Sequence, residues 1–174
     1  MECRHAERQG DKRIMMMGKH DLQALASELI DSQSTMALAT TGNGEAWAAP
    51  VYYVFHRGAF YFFSAPDSRH ILEALANNQA SAAIYPFVTS WKEIRGIQMS
   101  GRIHKVRPGL KAIEAVRAYV QKYPFTREFF DPGQDLDLEN FGNRFRVRLY
   151  RFDPSLVYYL DNQIRFGFRE AIQL

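Results

Sequence analysis

The chain has 174 residues, 47% of them hydrophobic and 14% aromatic, and this composition suits one domain with a sizeable core. The formal net charge of +3 permits an anionic ligand but is too small an excess to indicate nucleic-acid binding. A single cysteine excludes an intrachain disulfide framework and favours a reducing, cytoplasmic location. No apolar stretch reaches the length of a membrane span, about 18 residues, and no signal peptide is expected.

Two regions are expected along the chain, an N-terminal tail over residues 1–18 and a single domain over residues 19–174. The tail is rich in charged residues that follow no periodicity. After Lys19, apolar residues recur at the three- and four-residue spacing of an amphipathic helix, which predicts a first helix packed on the core. The residues of this apolar face are Leu22, Leu25, Ala26, Leu29 and Ile30.

Three predicted strands follow, connected by two tight turns. The first strand covers 35–41 and ends at Gly42-Asn43-Gly44, residue types that favour the positive φ angles of a hairpin turn. The second strand covers 46–55, where apolar side chains alternate. It is expected to form a β-hairpin with a third strand at 60–64, across the turn at 56–59.

A short helix is predicted to open at Ser68, Arg69 and His70, directly after the third strand. The free N–H groups of a helix N-terminus, one hydroxyl and two basic side chains would converge there, which predicts a phosphate-binding site. The alternative is that Ser68 or the preceding Asp67 caps the helix while Arg69 is a solvated surface residue. The predicted apolar face of this helix consists of Ile71, Leu72, Leu75 and Ala76.

Two further strands and a third helix are predicted next. Residues 80–87 form an apolar strand, and residues 91–106 form a longer strand with a bend or bulge at Gly101. The third helix begins after Arg107-Pro108-Gly109 and ends at Tyr123, because a residue before proline disfavours helix.

The last third of the chain begins with an irregular, acidic segment at 125–143, which is expected to cover the pocket, a core edge or a partner surface. Residues 144–152 alternate arginine with apolar side chains and predict a strand with one buried face. Its arginine face could hold anions or RNA, although such a face is more often simply solvated. A final strand is predicted at 156–160, after Pro154.

These elements predict the fold class. Seven or so strands and three helices, with short connections between consecutive strands, indicate a mainly β protein with antiparallel pairing. The sheet is expected to curl into a small barrel with helices at its ends.

Five short motifs, taken in order, carry a resemblance to a known family. The order of elements and motifs resembles the pyridoxamine-5'-phosphate-oxidase-like, FMN-binding split-barrel family, from about Asp21 to the C-terminus. The similarity is greatest to a branch of small bacterial members without an assigned function. The motifs are Ser68-Arg69-His70, Arg95-Gly96-Ile97-Gln98-Met99-Ser100-Gly101, Phe145-Arg146-Val147, Tyr159-Leu160-Asp161 and Gly167-Phe168-Arg169.

The resemblance implies a homodimer of split β-barrels with FMN at the subunit interface. The family's phosphate-binding Ser-Arg-Lys motif falls on Ser68, Arg69 and His70, with histidine in place of lysine. An aromatic residue near the flavin falls on Tyr159, and a late arginine that contacts the cofactor falls on Arg169.

Other positions both extend this match and depart from it. Gln98 is a further candidate for cofactor binding; alternatively, its side chain satisfies the backbone of a bulged strand. Arg165 matches a substrate-binding arginine of the oxidase, but Gly167 stands where the oxidase has a histidine. Ala49 and Val54 stand where the family has an arginine and a lysine that serve the FMN. These departures argue against true pyridoxamine-phosphate oxidation.

The first functional hypothesis is an FMN-dependent oxidoreductase of an unknown small-molecule substrate, with no catalytic acid–base pair assigned. The alternatives are a non-catalytic dimer that binds flavin, haem or the deazaflavin F420 for storage or sensing, and a split barrel that has lost its cofactor. No metal site is expected, because the five histidines lack ligand spacing with one another or with Cys3. Neither nucleic acid nor a membrane is expected as a partner.

Overall fold

The computed structural model describes residues 18–129, Gly142 and residues 145–174. These residues form three α-helices and eight β-strands. The helices are α1 (Lys19–Ser32), α2 (Arg69–Asn77) and α3 (Leu110–Lys122). The strands are β1 (Thr35–Gly42), β2 (Glu45–Tyr52), β3 (Val54–His56), β4 (Ala59–Ser64), β5 (Ala80–Ile84), β6 (Arg95–Lys105), β7 (Arg148–Asp161) and β8 (Arg169–Ala171). Two 3₁₀ turns lie at Trp91–Glu93 and Pro124–Phe129.

The strands form one curled antiparallel sheet in the order β2-β1-β5-β6-β7-β4-β3, with β8 also paired to β7. The predicted mainly β split-barrel fold with three helices is therefore confirmed. The sheet has an inner face, which encloses the main core together with α1 and α2, and an outer face. Helix α3 packs against the outer face of β3, β4 and β7 through a second apolar cluster.

The predicted strand at 46–55 is wrong as a single unit, because the chain changes partner at Tyr53. β2 pairs with β1, whereas β3 pairs with β4. The fully buried Tyr53 side chain donates its hydroxyl to the Ile30 carbonyl at 2.6 Å, and its backbone N–H donates to the Ser34 carbonyl at 3.3 Å. These bonds hold the crossover point against the end of α1. The hairpin across the turn at 56–59 is confirmed, in a shorter form.

Local turn chemistry gives the two tight turns that the sequence predicts. Asn43 and Gly44 have φ angles of 53° and 81°, and Arg57 and Gly58 have φ angles of 50° and 79°. All four lie in the left-handed region that glycine and asparagine tolerate best.

A strand break at Pro154 is not found, since β7 continues from Arg148 to Asp161. Pro154 lies opposite Gly101 at a β-bulge between Ser100 and Gly101, which confirms the predicted irregularity there. A Cβ atom at position 101 would lie 2.1 Å from the Asp153 carbonyl oxygen, so glycine lets the two strands meet.

Several predicted element ends also move. The strand predicted from residue 144 begins only at Arg148, because Arg146 has a φ of 53° that a strand does not adopt. Arg144 lies outside the described residues, as do 1–17 and 130–141 of the predicted tail and acidic segment. The strand predicted at 80–87 ends at Ile84.

Helix α2 turns a different face to the core from the one predicted. Ile71 and Ala74 are buried, whereas Leu72 and Leu75 are 56% and 46% exposed and Ala76 is also exposed. Helical periodicity did not distinguish between these two adjacent faces, because both carry apolar residues at three- or four-residue spacing.

Candidate functional site

The N-terminus of α2 brings together the side chains of Ser64, Ser68 and His70. Ser64 ends β4, and four residues later Ser68 is the residue that precedes the first turn of α2. The Ser64 Oγ lies 2.8 Å from His70 Nε2 and 3.1 Å from Ser68 Oγ. We call this group, together with Arg69, the α2 site.

The hydroxyl of Ser68 does not cap the helix. It donates instead to the Ala65 carbonyl at 2.8 Å, and no side-chain cap bond is formed. The first-turn N–H groups of Arg69 and His70 therefore keep their capacity to donate to a ligand, as helix N-termini do. The capping alternative for Ser68 is not supported by this geometry.

His70 is held largely neutral. Burial lowers the pKa of its imidazole, and the nearby Glu73 carboxylate opposes that shift only in part. A neutral imidazole offers one donor and one acceptor, so His70 does not supply the full positive charge of the lysine it replaces.

Arg69 is already engaged by two carboxylates and an indole ring. Its Nε donates to Glu73 Oε1 at 2.7 Å, its Nη2 donates to Glu45 Oε2 at 2.9 Å, and its Cζ lies 4.7 Å from the centre of the Trp47 ring. One guanidinium and two carboxylates give this group a net charge of about −1 near neutral pH. The arginine can therefore serve an anion only when a carboxylate withdraws.

The two carboxylates differ in how firmly they are held. The Glu45 side chain is 72% exposed, whereas that of Glu73 is only 13% exposed and accepts a second bond from Thr40 Oγ1 at 2.7 Å. The hydrogen bonds from Thr40 and Arg69 lower the pKa of Glu73 and keep it ionised. Gly42 leaves room for Glu73, because a Cβ atom there would lie 2.7 Å from the Glu73 Cγ. Glu45 is thus the partner that can leave.

A second group of predicted residues lies on the outer face of the sheet. Gln98 on β6 is exposed and lies directly opposite Tyr158 on β7. Arg169 on β8 places its Cζ 6.0 Å from the centre of the Tyr158 ring. We call Gln98, Tyr158 and Arg169 the outer patch.

Tyr159 does not join the outer patch. It is fully buried, belongs to the main core and donates its hydroxyl to Asp161 Oδ2 at 2.8 Å. Its ring presents no face to a ligand in this chain, so the prediction that assigned it to the cofactor is not supported by its position. Tyr158, which sequence reasoning missed, is half-buried and its ring lies on the outer face beside Arg169.

The remaining predicted positions lie at the edges of these groups. Arg165 belongs to the turn between β7 and β8, and its carbonyl accepts from the Phe168 N–H at 2.9 Å. Gly167 has a φ of 70° and donates its N–H to Asn162 Oδ1 at 3.0 Å, so the turn itself favours glycine there. Val54 is buried beneath α3 and cannot replace a charged cofactor contact.

Comparison with known proteins identifies the family of this chain. A model of the family described as pyridoxamine 5'-phosphate oxidase matches residues 22–140, which is more than half of the chain. The chain belongs to the pyridoxamine 5'-phosphate oxidase family. A curated relative in this comparison, the UPF0306 protein YhbP of Salmonella arizonae, is 24% identical over 121 residues, covering 68% of this chain and 82% of the relative.

Solved structures share the split-barrel fold of this family member. A haem binding protein from Mycobacterium smegmatis superposes with a TM-score of 0.64 at 18% identity, covering 85% of this chain and 56% of that chain. An FAD-binding protein from Mesorhizobium loti superposes with a TM-score of 0.55 at 18% identity, covering 77% of this chain and 90% of that chain. At such identities these likenesses show the fold alone.

Two further properties of the described residues concern metal ligands and membrane-spanning helices. Within residues 18–129 and 145–174, no three His, Cys, Asp or Glu side chains are grouped so that they could hold a metal ion. Among the helices that the structure describes, none is long and apolar enough to cross a membrane.

Proposed function

We propose that this protein is a flavin-binding dimer that uses FMN for oxidation or reduction of a small molecule. The α2 site would hold the FMN phosphate, and the outer patch of the partner subunit would contact the rest of the cofactor.

The observation that carries this proposal is the convergence of Ser64, Ser68 and His70 on the open first turn of α2. Two hydroxyls and an imidazole lie within 2.8 to 3.4 Å of one another there. Phosphate oxygens accept hydrogen bonds from hydroxyl, imidazole and backbone N–H donors, and the helix dipole favours negative charge at this end. The donor set fits a phosphate group once the Ser68 hydroxyl turns from the Ala65 carbonyl to the ligand.

Positive charge in the α2 site is supplied only when Arg69 is released. Its guanidinium now bonds Glu45 and Glu73, and a phosphate dianion would meet a net negative group. Glu45 is exposed and can rotate into solvent, which leaves Arg69 to bind the phosphate while Glu73 keeps it oriented. We propose that FMN binding includes this exchange of Glu45 for phosphate.

The dimer is proposed because the α2 site and the outer patch lie on different faces of one chain. Ser64 belongs to the buried side of β4, whereas Gln98 and Tyr158 project from the outer face of β6 and β7. A second copy can bring its outer patch to the α2 site of the first.

Bound FMN would supply hydride chemistry, and the protein would contribute position, electrostatics and exclusion of water. Gln98 offers an amide that can donate or accept at the polar edge of a ring system, and Arg169 offers a positive charge. The half-buried Tyr158 ring lies 6.0 Å from the Arg169 guanidinium carbon, a cation–π contact that would help to orient that charge.

Haem is the second candidate, and one observation favours it. The two carboxylates on Arg69 leave the α2 site without net positive charge, which weakens the case for a phosphate dianion. A haem binding protein has the same fold. A haem-binding dimer for storage or sensing would therefore use the same barrel, while Arg69 in the α2 site stays bonded to Glu45 and Glu73.

The absorption spectrum of the purified protein distinguishes the two candidates. Flavin gives a yellow protein with absorption in the blue, whereas haem gives a Soret band. Bleaching by a reduced nicotinamide, followed by substrate-dependent reoxidation, would favour the oxidoreductase over the carrier.

Charge reversal tests the assignment of the phosphate. We expect Arg69→Glu to weaken FMN binding by about a hundredfold, since it removes the cation and adds repulsion. Arg57→Glu is the matched control, because Arg57 is also paired with a glutamate but lies in the β3–β4 turn. Unchanged FMN affinity in folded Arg69→Glu would contradict the site assignment.

A further inference from the structure

A polar cavity lies on the outer face of the sheet, at the β-bulge in β6. Its volume is about 420 Å³, within the roughly 300–1,000 Å³ range of small-molecule pockets. We call it the bulge pocket. Its lining residues come from β1, β2, β5, β6 and β7 and the residue before β5, and they include Ser81, Ser100, Arg102 and Ser155.

The strand register places three polar side chains of the pocket side by side. Ser81 on β5 lies directly opposite Ser100 on β6, and Arg102 follows two residues further along β6 on the same face. The extra residue of the bulge, Ser155 on β7, donates its hydroxyl to the Ser100 carbonyl at 3.2 Å. The bulge thus fixes hydroxyl groups beside a guanidinium.

Arg102 is the sole charged residue among those that line the pocket. Its cross-strand neighbour is Asp153, but that carboxylate is bonded to Arg151 Nε at 2.6 Å and lies 3.6 Å from His104 Nε2. Across the part of the chain that the structure describes, the Arg102 side chain makes no ion pair or hydrogen bond. Its positive charge is therefore not neutralised by a carboxylate.

The donors of the pocket suit a particular class of ligand. A guanidinium matches the oxygens of a phosphate group in a bidentate manner, and serine and threonine hydroxyls can both donate to phosphate and accept from a ligand hydroxyl. No aromatic side chain is among the described lining residues, so the pocket offers no stacking surface for a nucleobase or a flavin ring.

We propose that the bulge pocket is a second ligand site, which binds the phosphate monoester of a small hydroxylated molecule through Arg102. Ser81 and Ser100 bind a neighbouring hydroxyl of the ligand. This site is separate from the α2 site, which lies on the inner side of the sheet, and its ligand need not be a flavin.

Calorimetric titration of the full chain with glycerol 3-phosphate tests the proposal, with inorganic phosphate and glycerol as two comparison ligands. We expect saturable binding of glycerol 3-phosphate, weaker binding of phosphate and none of glycerol. Arg102→Gln should weaken binding by at least about tenfold, because a charge-assisted bond to phosphate is lost. Arg117→Gln on the exposed side of α3 is the matched control and should leave the affinity unchanged.

A Ser81→Ala and Ser100→Ala double variant extends the test without altering charge. It should weaken glycerol 3-phosphate more than inorganic phosphate, since it removes contacts to the hydroxylated part. Absence of saturable binding, or equal affinity in Arg102→Gln and Arg117→Gln, would overturn the proposal. Displacement of glycerol 3-phosphate by FMN would also overturn it, by assigning the pocket to the flavin site.

Discussion

Arg69 and Arg102 lie on opposite faces of the same sheet and differ in what surrounds their guanidinium groups. Arg69 belongs to the motif that is predicted to bind phosphate, yet its guanidinium already contacts two carboxylates and the Trp47 ring. Arg102 belongs to no such motif, yet it lines a cavity without a carboxylate among the residues described there. An anion site therefore depends on whether the cation is already paired, which a motif alone does not reveal.

The largest effect is expected from Gly42→Ala, which disrupts the ion pair between Glu73 and Arg69. The new Cβ would lie 2.7 Å from Glu73 Cγ and 2.8 Å from its Oε1, so Glu73 must move away from Arg69 and Thr40. We expect the free energy of unfolding to fall by about 1–3 kcal/mol, as for other overpacked sites. Urea denaturation measures this change.

Gly18→Ala is the control for that variant. A Cβ atom there would find Asp21 Oδ2 at 3.8 Å, an ordinary contact. Its effect should stay at about 0.5–1 kcal/mol, because Gly18 is the N-cap of α1 and alanine is a poorer residue than glycine there. Equal stability of the two variants would show that Glu73 is not held as described.

Local signals in the sequence predicted the parts of the fold that depend on few neighbouring residues. Both tight turns and the bulge at Gly101 follow from glycine and asparagine at positions that need unusual backbone angles or close approach. The change of strand partner at Tyr53 depends on contacts with the distant Ile30 and Ser34, which no local pattern encodes.

The candidate site was predictable to a similar extent. Ser68, Arg69 and His70 were found by motif, and the bond from Arg69 to Glu73 could have been inferred from their four-residue spacing. Glu45 could not, because its contact requires the β1–β2 hairpin to lie beside α2. On β7, the neighbouring residues Tyr158 and Tyr159 point to opposite faces, so a motif match displaced by one residue selects a ring on the other face of the sheet.

A smaller effect is expected from Glu45→Gln, which removes one of the two carboxylates from Arg69 and so brings its surroundings closer to those of Arg102. Removal of one exposed carboxylate should strengthen FMN binding by about two- to fivefold, the usual scale of an exposed ion pair. Glu114→Gln is the matched control, because Glu114 pairs with Arg57 and His56 away from the α2 site. Fluorescence titration with FMN measures both variants, and a loss of affinity in Glu45→Gln would contradict the proposed exchange.

The smallest effect is expected from pH. The folded pKa of His70 lies below its ordinary value of 6.5, so the unfolded chain binds the proton more readily. His70 should therefore lower the free energy of unfolding as pH falls through the pKa that this histidine has in the unfolded chain. At higher pH it should have no such effect. Comparison of unfolding free energies between pH 7 and 5 should show a shallower decline in His70→Asn than in the parent protein.

His104→Asn is the control for the pH series, since the His104 side chain is 53% exposed. The unfolding free energy of His104→Asn should fall between pH 7 and 5 as steeply as that of the parent protein, because His70 is still present. An identical decline in His70→Asn and the parent would mean that burial of the imidazole is not coupled to folding.

Titration of the unmodified protein with FMN, combined with its native mass, tests the central claim most directly. We expect saturable binding, at micromolar concentrations or below, by a dimer with one FMN per chain. A monodisperse, folded protein that binds no FMN would contradict the proposed role of the α2 site, and a Soret band from the same sample would assign the barrel to haem.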